Sequence, residues 1–153
     1  MIKNCSVIVS NNYFSEKNIL NLYSDLQGII NDFSIPHIIL GTDGETELKL
    51  LDLFIEDKRE YNDIEITAVV TSENNLVEWS EKQRIRFFEL IVNCDRELLL
   101  SPPLEALSIF YKHLIMVDIA DLVLLIGDDP TLELIIKKNG KKLLRFDVLK
   151  GTF

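Results

Sequence analysis

The amino-acid sequence predicts an α/β protein: a single Rossmann-like domain over residues 1–153, with a mostly parallel sheet of about six strands and helices on both faces. Three observations carry this expectation. Short apolar runs alternate with longer stretches of helical periodicity along the whole chain. One run, Leu122-Val123-Leu124-Leu125-Ile126, is apolar without alternation and bounded by turn formers, as suits a strand buried on both faces. No linker or internal repeat divides the chain, and 153 residues make about one domain.

The elements follow in order. Cys5 to Ser10 reads as a first strand centred on Val7, Ile8 and Val9, closed by the polar Asn11-Asn12. Ser15 is an N-cap for a helix whose apolar face is Ile19, Leu22, Tyr23, Leu26, Ile29, Ile30 and Phe33. Pro36 resets the backbone, and Ile38-Ile39-Leu40 forms a second strand that stops at Gly41. The turn Gly41 to Glu47 leads into a helix marked by Leu48, Leu50, Leu51, Phe54 and Ile55, and Asp57 to Asp63 reads as a charged connection. Ile64, Ile66 and Ala68-Val69-Val70 supply a third strand, followed by a polar loop over Thr71 to Asn75.

Ser80 caps a helix carrying Ile85, Phe88, Ile91 and Val92, with Glu81 placed against its dipole. Arg96 to Leu100 fits a short fourth strand, and Ser101-Pro102-Pro103 breaks the chain before a helix whose expected buried stripe is Leu104, Leu107, Phe110, Tyr111, Leu114 and Val117. The Leu122 to Ile126 strand comes next. A short helix spans about Thr131 to Lys138 before the Asn139-Gly140 stop. Lys142 to Leu149 reads as a last strand, whose direction the pattern leaves open between parallel and an antiparallel edge.

Composition bounds the function. With 47% hydrophobic and 27% charged residues the chain is an ordinary globule, not a disordered one. The formal charge of -9, with no offsetting basic stripe, argues against a nucleic-acid surface and against an anionic membrane. It leaves room for a local anion site, because backbone N–H groups at a helix start hold phosphate even in an acidic protein. Residues 1–10 do not form a signal peptide and no segment reaches the roughly 18 apolar residues of a membrane span, so a cytoplasmic location is expected. Cys5 and Cys94 are isolated, form no metal-ligand spacing and read as reduced, packed thiols.

The turn Leu40-Gly41-Thr42-Asp43-Gly44 with Glu47, the segment Glu78-Trp79-Ser80-Glu81 and the segment Met116-Val117-Asp118-Ile119-Ala120-Asp121-Leu122 together resemble the SLOG superfamily, the Smf/DprA- and LOG-related proteins, and within it the YpsA-like branch. Gly41 and Gly44 match a GxxG turn, Glu47 its following acid with one residue inserted, and Trp79, Met116, Asp118 and Asp121 further positions. The resemblance spans about residues 5 to 148. It implies a pocket for a nucleotide or an ADP-ribose-type ligand at the strand ends. Three departures stand beside it. Ser10-Asn11-Asn12-Tyr13 replaces a glycine- and cation-bearing signature, Lys112-His113 replaces an Arg-Asn pair, and Asp128-Asp129-Pro130-Thr131 replaces a Gly-Gly-Thr turn. Two carboxylates and a proline make a poor phosphate nest. The "PGGxGTxxE" stretch on which phosphoribohydrolase chemistry depends in that superfamily does not occur.

The residues expected at a ligand site are therefore Ser10, Asn11, Gly41, Thr42, Gly44, Glu47, Trp79, Asp118, Asp121 and Gly127, with no catalytic residue and no metal ligand assigned. Asp43 and Glu45 are read first as complements to a helix dipole, Trp79 as a cap on the sheet, and His113 as a packed or solvated histidine with a minor option on proton transfer. Two functional readings stand: a non-catalytic sensor or sink for a nucleotide-derived small molecule, and a module with a closed pocket that binds a protein partner or forms a homodimer. A nucleotide-processing hydrolase ranks third, since no nucleophile or acid–base pair can be named.

Overall fold

Strand and helix alternate as the hydrophobic pattern requires. The computed structural model describes residues 1–10, 15–61, 63–71, 80–101 and 105–153. Its elements are β1 (Asn4–Val9), α1 (Glu16–Asp32), β2 (His37–Gly41), α2 (Glu45–Tyr61), β3 (Glu65–Val70), α3 (Glu81–Val92), β4 (Arg96–Leu99), α4 (Ser108–Ile119), β5 (Leu122–Ile126), α5 (Pro130–Lys138) and β6 (Lys142–Phe146). A 3-10 turn, Glu105–Leu107, precedes α4.

The strands form one six-stranded sheet in the order β4-β3-β2-β1-β5-β6, every adjacent pair parallel. Val7 of β1 lies between Leu40 of β2 and Leu124 of β5. The chain first steps outward from β1 to β4, then crosses back to β5 and continues to β6. Right-handed crossovers then place α1, α2 and α3 on one face and α4 and α5 on the other. The two apolar clusters follow that division. Val7, Leu40, Ala68 and Leu124 meet Leu22, Leu51 and Leu90 on one side, while Ile8, Ile39, Val69 and Val123 meet Met116, Val117, Leu132 and Ile136 on the other. All of β5 is buried, which explains its unbroken apolar run.

Local signals act where expected at several points. Ser15 caps α1 by accepting from Asn18 N, and Ser80 forms a reciprocal capping box with Gln83. Cys5 is buried and Cys94 half-buried, both as free thiols. No helix among the described residues is long and apolar enough to cross a membrane.

The direction of the last strand, left open by the pattern, is parallel to β5, and four expectations need correction. β6 ends at Phe146, short of Leu149, and the chain beyond it turns back through a bridge between Asp147 and Thr152. The stretch from Asp57 to Tyr61 continues α2, with Asp57 accepting from Tyr23 and Gln27 and Lys58 paired with Asp95. In α3 the buried stripe is Phe87, Leu90 and Ile91, whereas Ile85, Phe88 and Val92 are 53%, 54% and 79% exposed. Leu107, in the 3-10 turn before α4, and Phe110 of α4 are exposed, and the face of α4 turned to the sheet carries Lys112, His113, Met116 and Val117. Trp79, Asn11, Leu104 and the loop beyond Thr71 lie outside the described residues.

Candidate functional site

The order of strands reverses beside β1, so the crevice at the carboxyl ends of β1 and β5 is where a fold of this kind holds a ligand. Ser10 and Gly127 flank it. The amide and the hydroxyl of Ser10 both donate to the carbonyl of Ile126, at 2.9 Å each, fastening the end of β1 to the end of β5. Gly127 leaves β5 at φ 105°, a conformation glycine adopts without strain, and its amide donates to the carbonyl of Phe146. Asp129 then caps α5, accepting from Leu132 N at 3.1 Å, while Pro130 removes a donor at the first helical position. The start of α5 is thus closed by the chain's own carboxylate, in keeping with a turn that makes a poor phosphate nest.

A buried ionic cluster lies beside this crevice, at the carboxyl ends of β2 and β3. Glu47 stands at the third position of α2, from which its carboxylate reaches back over the helix start. Its Oε1 accepts from the amides of Asp43 and Gly44 at 3.2 Å each, the acidic half of a capping box. Its Oε2 accepts from Lys112 Nζ at 2.9 Å. Lys112 Nζ also pairs with Asp43 Oδ2 at 2.7 Å, and Asp43 Oδ1 accepts from the Thr71 hydroxyl at 2.5 Å. Thr42 donates to the carbonyl of Val69 at 3.0 Å, holding the turn against β3. Lys112 is 1% exposed and Glu47 2%.

The glycine that ends β2 makes this packing possible. A Cβ at Gly41 would press into the Glu47 carboxylate and lie 2.6 Å from Lys112 Nζ. Gly41 is therefore required by the ion pair that rests on its Cα rather than by an unusual backbone angle.

Burial sets the protonation of these groups. Loss of water pushes the Glu47 carboxyl above its ordinary range, against the opposing pull of the Lys112 ammonium. For Lys112 burial acts downward, but the Glu47 and Asp43 carboxylates outweigh it and hold the ammonium above the usual lysine value. His113, the next residue on the buried face of α4, is depressed from 6.5 to about 4, first by burial and then by Lys112, with Asp129 and Asp43 acting the other way. It is neutral near pH 7. Its Nε2 is buried and has no hydrogen-bond partner among the described residues. The helix that bears both residues is pinned to β1 by the Ser6 hydroxyl, which donates to the carbonyl of Met116 at 2.6 Å.

The structure thus brings Gly41, Thr42, Gly44 and Glu47 together in one cluster, with Ser10 and Gly127 at the neighbouring strand ends. Asp118 and Asp121 lie at the opposite end of the sheet. Asp121 accepts from the amides of Lys3 and Asn4 at 2.9 Å each, and these bonds hold its carboxyl below the usual range. Asp118 is exposed, its carbonyl taking a hydrogen bond from Lys141 Nζ. Asn11 and Trp79 lie outside the described residues. The sequence reading assigned no role to Lys112 or Thr71, weighed Asp43 as a holder of ribose hydroxyls or a cation but favoured the helix dipole, and gave His113 only a minor option on proton transfer. The available signal was a lysine in the middle of a helix apolar on nearly every side, where only a buried counter-charge would hold it.

Among the described residues no group of three or more His, Cys, Asp or Glu side chains could hold a metal ion. No protein-family model matches the chain, and no curated protein matches it in sequence.

Proposed function

We propose that this is a non-catalytic, SLOG-like binding protein for a nucleotide-derived small molecule, seated at the carboxyl ends of β1, β2 and β5 and acting as a cytoplasmic sensor or sink. The carrying observation is the buried Asp43–Lys112–Glu47 cluster at the end of the sheet where Rossmann-like folds hold ligands. Burying such a cluster gains little stability over an apolar replacement, so its place beside the crevice favours a role in recognition. His113 Nε2 adds a buried polar atom with its hydrogen-bonding capacity unspent. A binding role is preferred to catalysis because the cluster's charged groups are engaged with one another.

The test is a thermal-shift screen against nucleotides, NAD and ADP-ribose species, since a ligand that binds only the folded state raises its melting temperature. A dose-dependent rise that is lost in His113→Phe supports the reading; no rise with any of these compounds, from cooperatively folded protein, refutes it. The second reading is a closed-pocket module that works through its surface. It is favoured by the turn itself, where the amides of Asp43 and Gly44 are already taken by Glu47.

A further inference from the structure

The helix α4 is apolar on almost every side. Lys112 and His113 are buried beside Met116 and Val117, so Asp118 is the one charge that α4 shows to solvent. α1, α2, α3 and α5 each show two or more. Leu107, Ile109 and Phe110 at the start of α4 are 49%, 52% and 44% exposed, and Tyr111, Leu114 and Ile115 are half-buried further along. A helix that is hydrophobic all round is ordinarily buried all round. In the single chain the outer side of α4 stays partly bare, and contiguous apolar surface of this kind marks an interface.

The pattern on that side is self-complementary. Leu107, Tyr111 and Ile115 follow one another at four-residue spacing, as do Phe110, Leu114 and Asp118, forming two ridges. Two copies of α4 laid antiparallel about a two-fold axis midway between Tyr111 and Leu114 set Tyr111 against Leu114, Phe110 against Ile115 and Leu107 against Asp118, each contact made twice. The charges match in the same arrangement. Asp118 lies in the last turn of α4, where the helix dipole disfavours a carboxylate and no basic residue of that turn answers it. At its other end α4 starts from Leu107 with no side-chain cap and no acidic residue in the first turn. Antiparallel pairing carries each Asp118 to the start of the other copy's helix, where a carboxylate is stabilising. A protein of net charge -9 also repels its own copy least through its least charged face.

We propose that the outer face of α4 is a self-association surface through which two copies of this chain pair antiparallel, with Leu107, Phe110, Tyr111, Leu114 and Ile115 as the apolar contact and Asp118 as a reciprocal cap. The opposite side of the same helix carries Lys112 and His113, so pairing braces the α4 wall of the candidate site. The association requires no ligand.

The test is sedimentation velocity of the full chain over a series from about 1 to 500 μM, the range in which a modest interface dissociates. A species of twice the 17.6 kDa chain mass is expected. Phe110→Asp should weaken it about tenfold or more and Asp118→Lys roughly threefold, while Phe88→Asp on the exposed side of α3 leaves it unchanged. All three positions are exposed, and a cooperative melt for each variant separates lost pairing from lost structure. The register is read with a short bis-maleimide reagent, the parent chain with its own Cys5 and Cys94 serving as the blank. A Leu107→Cys chain mixed with an Asp118→Cys chain should cross-link. Leu107→Cys alone should not, its two copies lying about 16 Å apart along the helices. A monomer throughout the series, a dimer that survives Phe110→Asp or is lost in Phe88→Asp, or a Leu107→Cys chain that links to itself overturns the proposal.

Discussion

Replacing Lys112 by Met tests the buried cluster most directly. The substitution keeps most of the side chain's volume and removes the ammonium from Asp43 and Glu47, at 2.7 and 2.9 Å. Breaking a buried pair by deleting one partner costs about 3–5 kcal/mol, because the remaining charge is left without compensation. Two features reduce this cost. Glu47 retains the amides of Asp43 and Gly44, and Asp43 retains Thr71. The Glu47 carboxyl, already raised by burial, can also escape the penalty by taking up a proton.

The loss should therefore depend on pH. A carboxyl raised in the folded state binds its proton there more readily than in the unfolded chain, so stability falls as pH rises through the interval between the two pKa values. Removing Lys112 widens that interval. Urea denaturation should show Lys112→Met less stable by about 3 kcal/mol at pH 8, with an unchanged m value. For a domain of this size that corresponds to a melting point lower by roughly 6–12 °C. The deficit should shrink on acidification to pH 5. A loss below about 1 kcal/mol, equal at the two pH values, would show that Lys112 has no buried counter-charge and would remove the cluster from the argument.

Two further outcomes follow from the same geometry. Gly41→Ala places a methyl group against Glu47 and Lys112; it should cost roughly 2–3 kcal/mol by urea denaturation and much less when combined with Lys112→Met, because both act on one interaction. His113 is depressed in the folded state from 6.5 to about 4, so its protonation works against the fold: there is no penalty above pH 6.5, and stability is lost as pH falls toward 4, about 3 kcal/mol in all. In His113→Leu that acid-side loss should be absent when its stability is compared with the parent at pH 7 and pH 4.5; parallel pH profiles would refute the assignment.

How much was legible in the sequence depended on whether a pattern was local. Strand runs and N-caps are set by neighbours along the chain, so β1, β2, β3, β5 and the caps at Ser15 and Ser80 could be read directly. Helix faces in α3 and α4 could not. Both helices carry apolar residues on more than one side, and periodicity does not say which side meets the sheet. In α4 the choice is settled by Glu47 and Asp43, which lie more than 60 positions earlier and draw Lys112 inward. Gly41 was legible as a required glycine, but its reason was not, since the group pressing on it comes from α2 and α4.

That reason bears on how any ligand would be held. A glycine turn before a helix commonly offers free amides to a phosphate, but here the Glu47 carboxylate occupies the amides of Asp43 and Gly44 while also anchoring Lys112. An anion binding at that turn would have to displace a buried carboxylate and strand its lysine. A ligand entering from the β1–β5 side would meet instead the neutral His113, whose Nε2 is unspent. Under the proposed function, this contrast favours recognition at the α4 wall of the crevice over the glycine turn. Substitution of His113 should accordingly change ligand affinity with little loss of stability near pH 7, whereas substitution at Gly41 or Lys112 should lower both together.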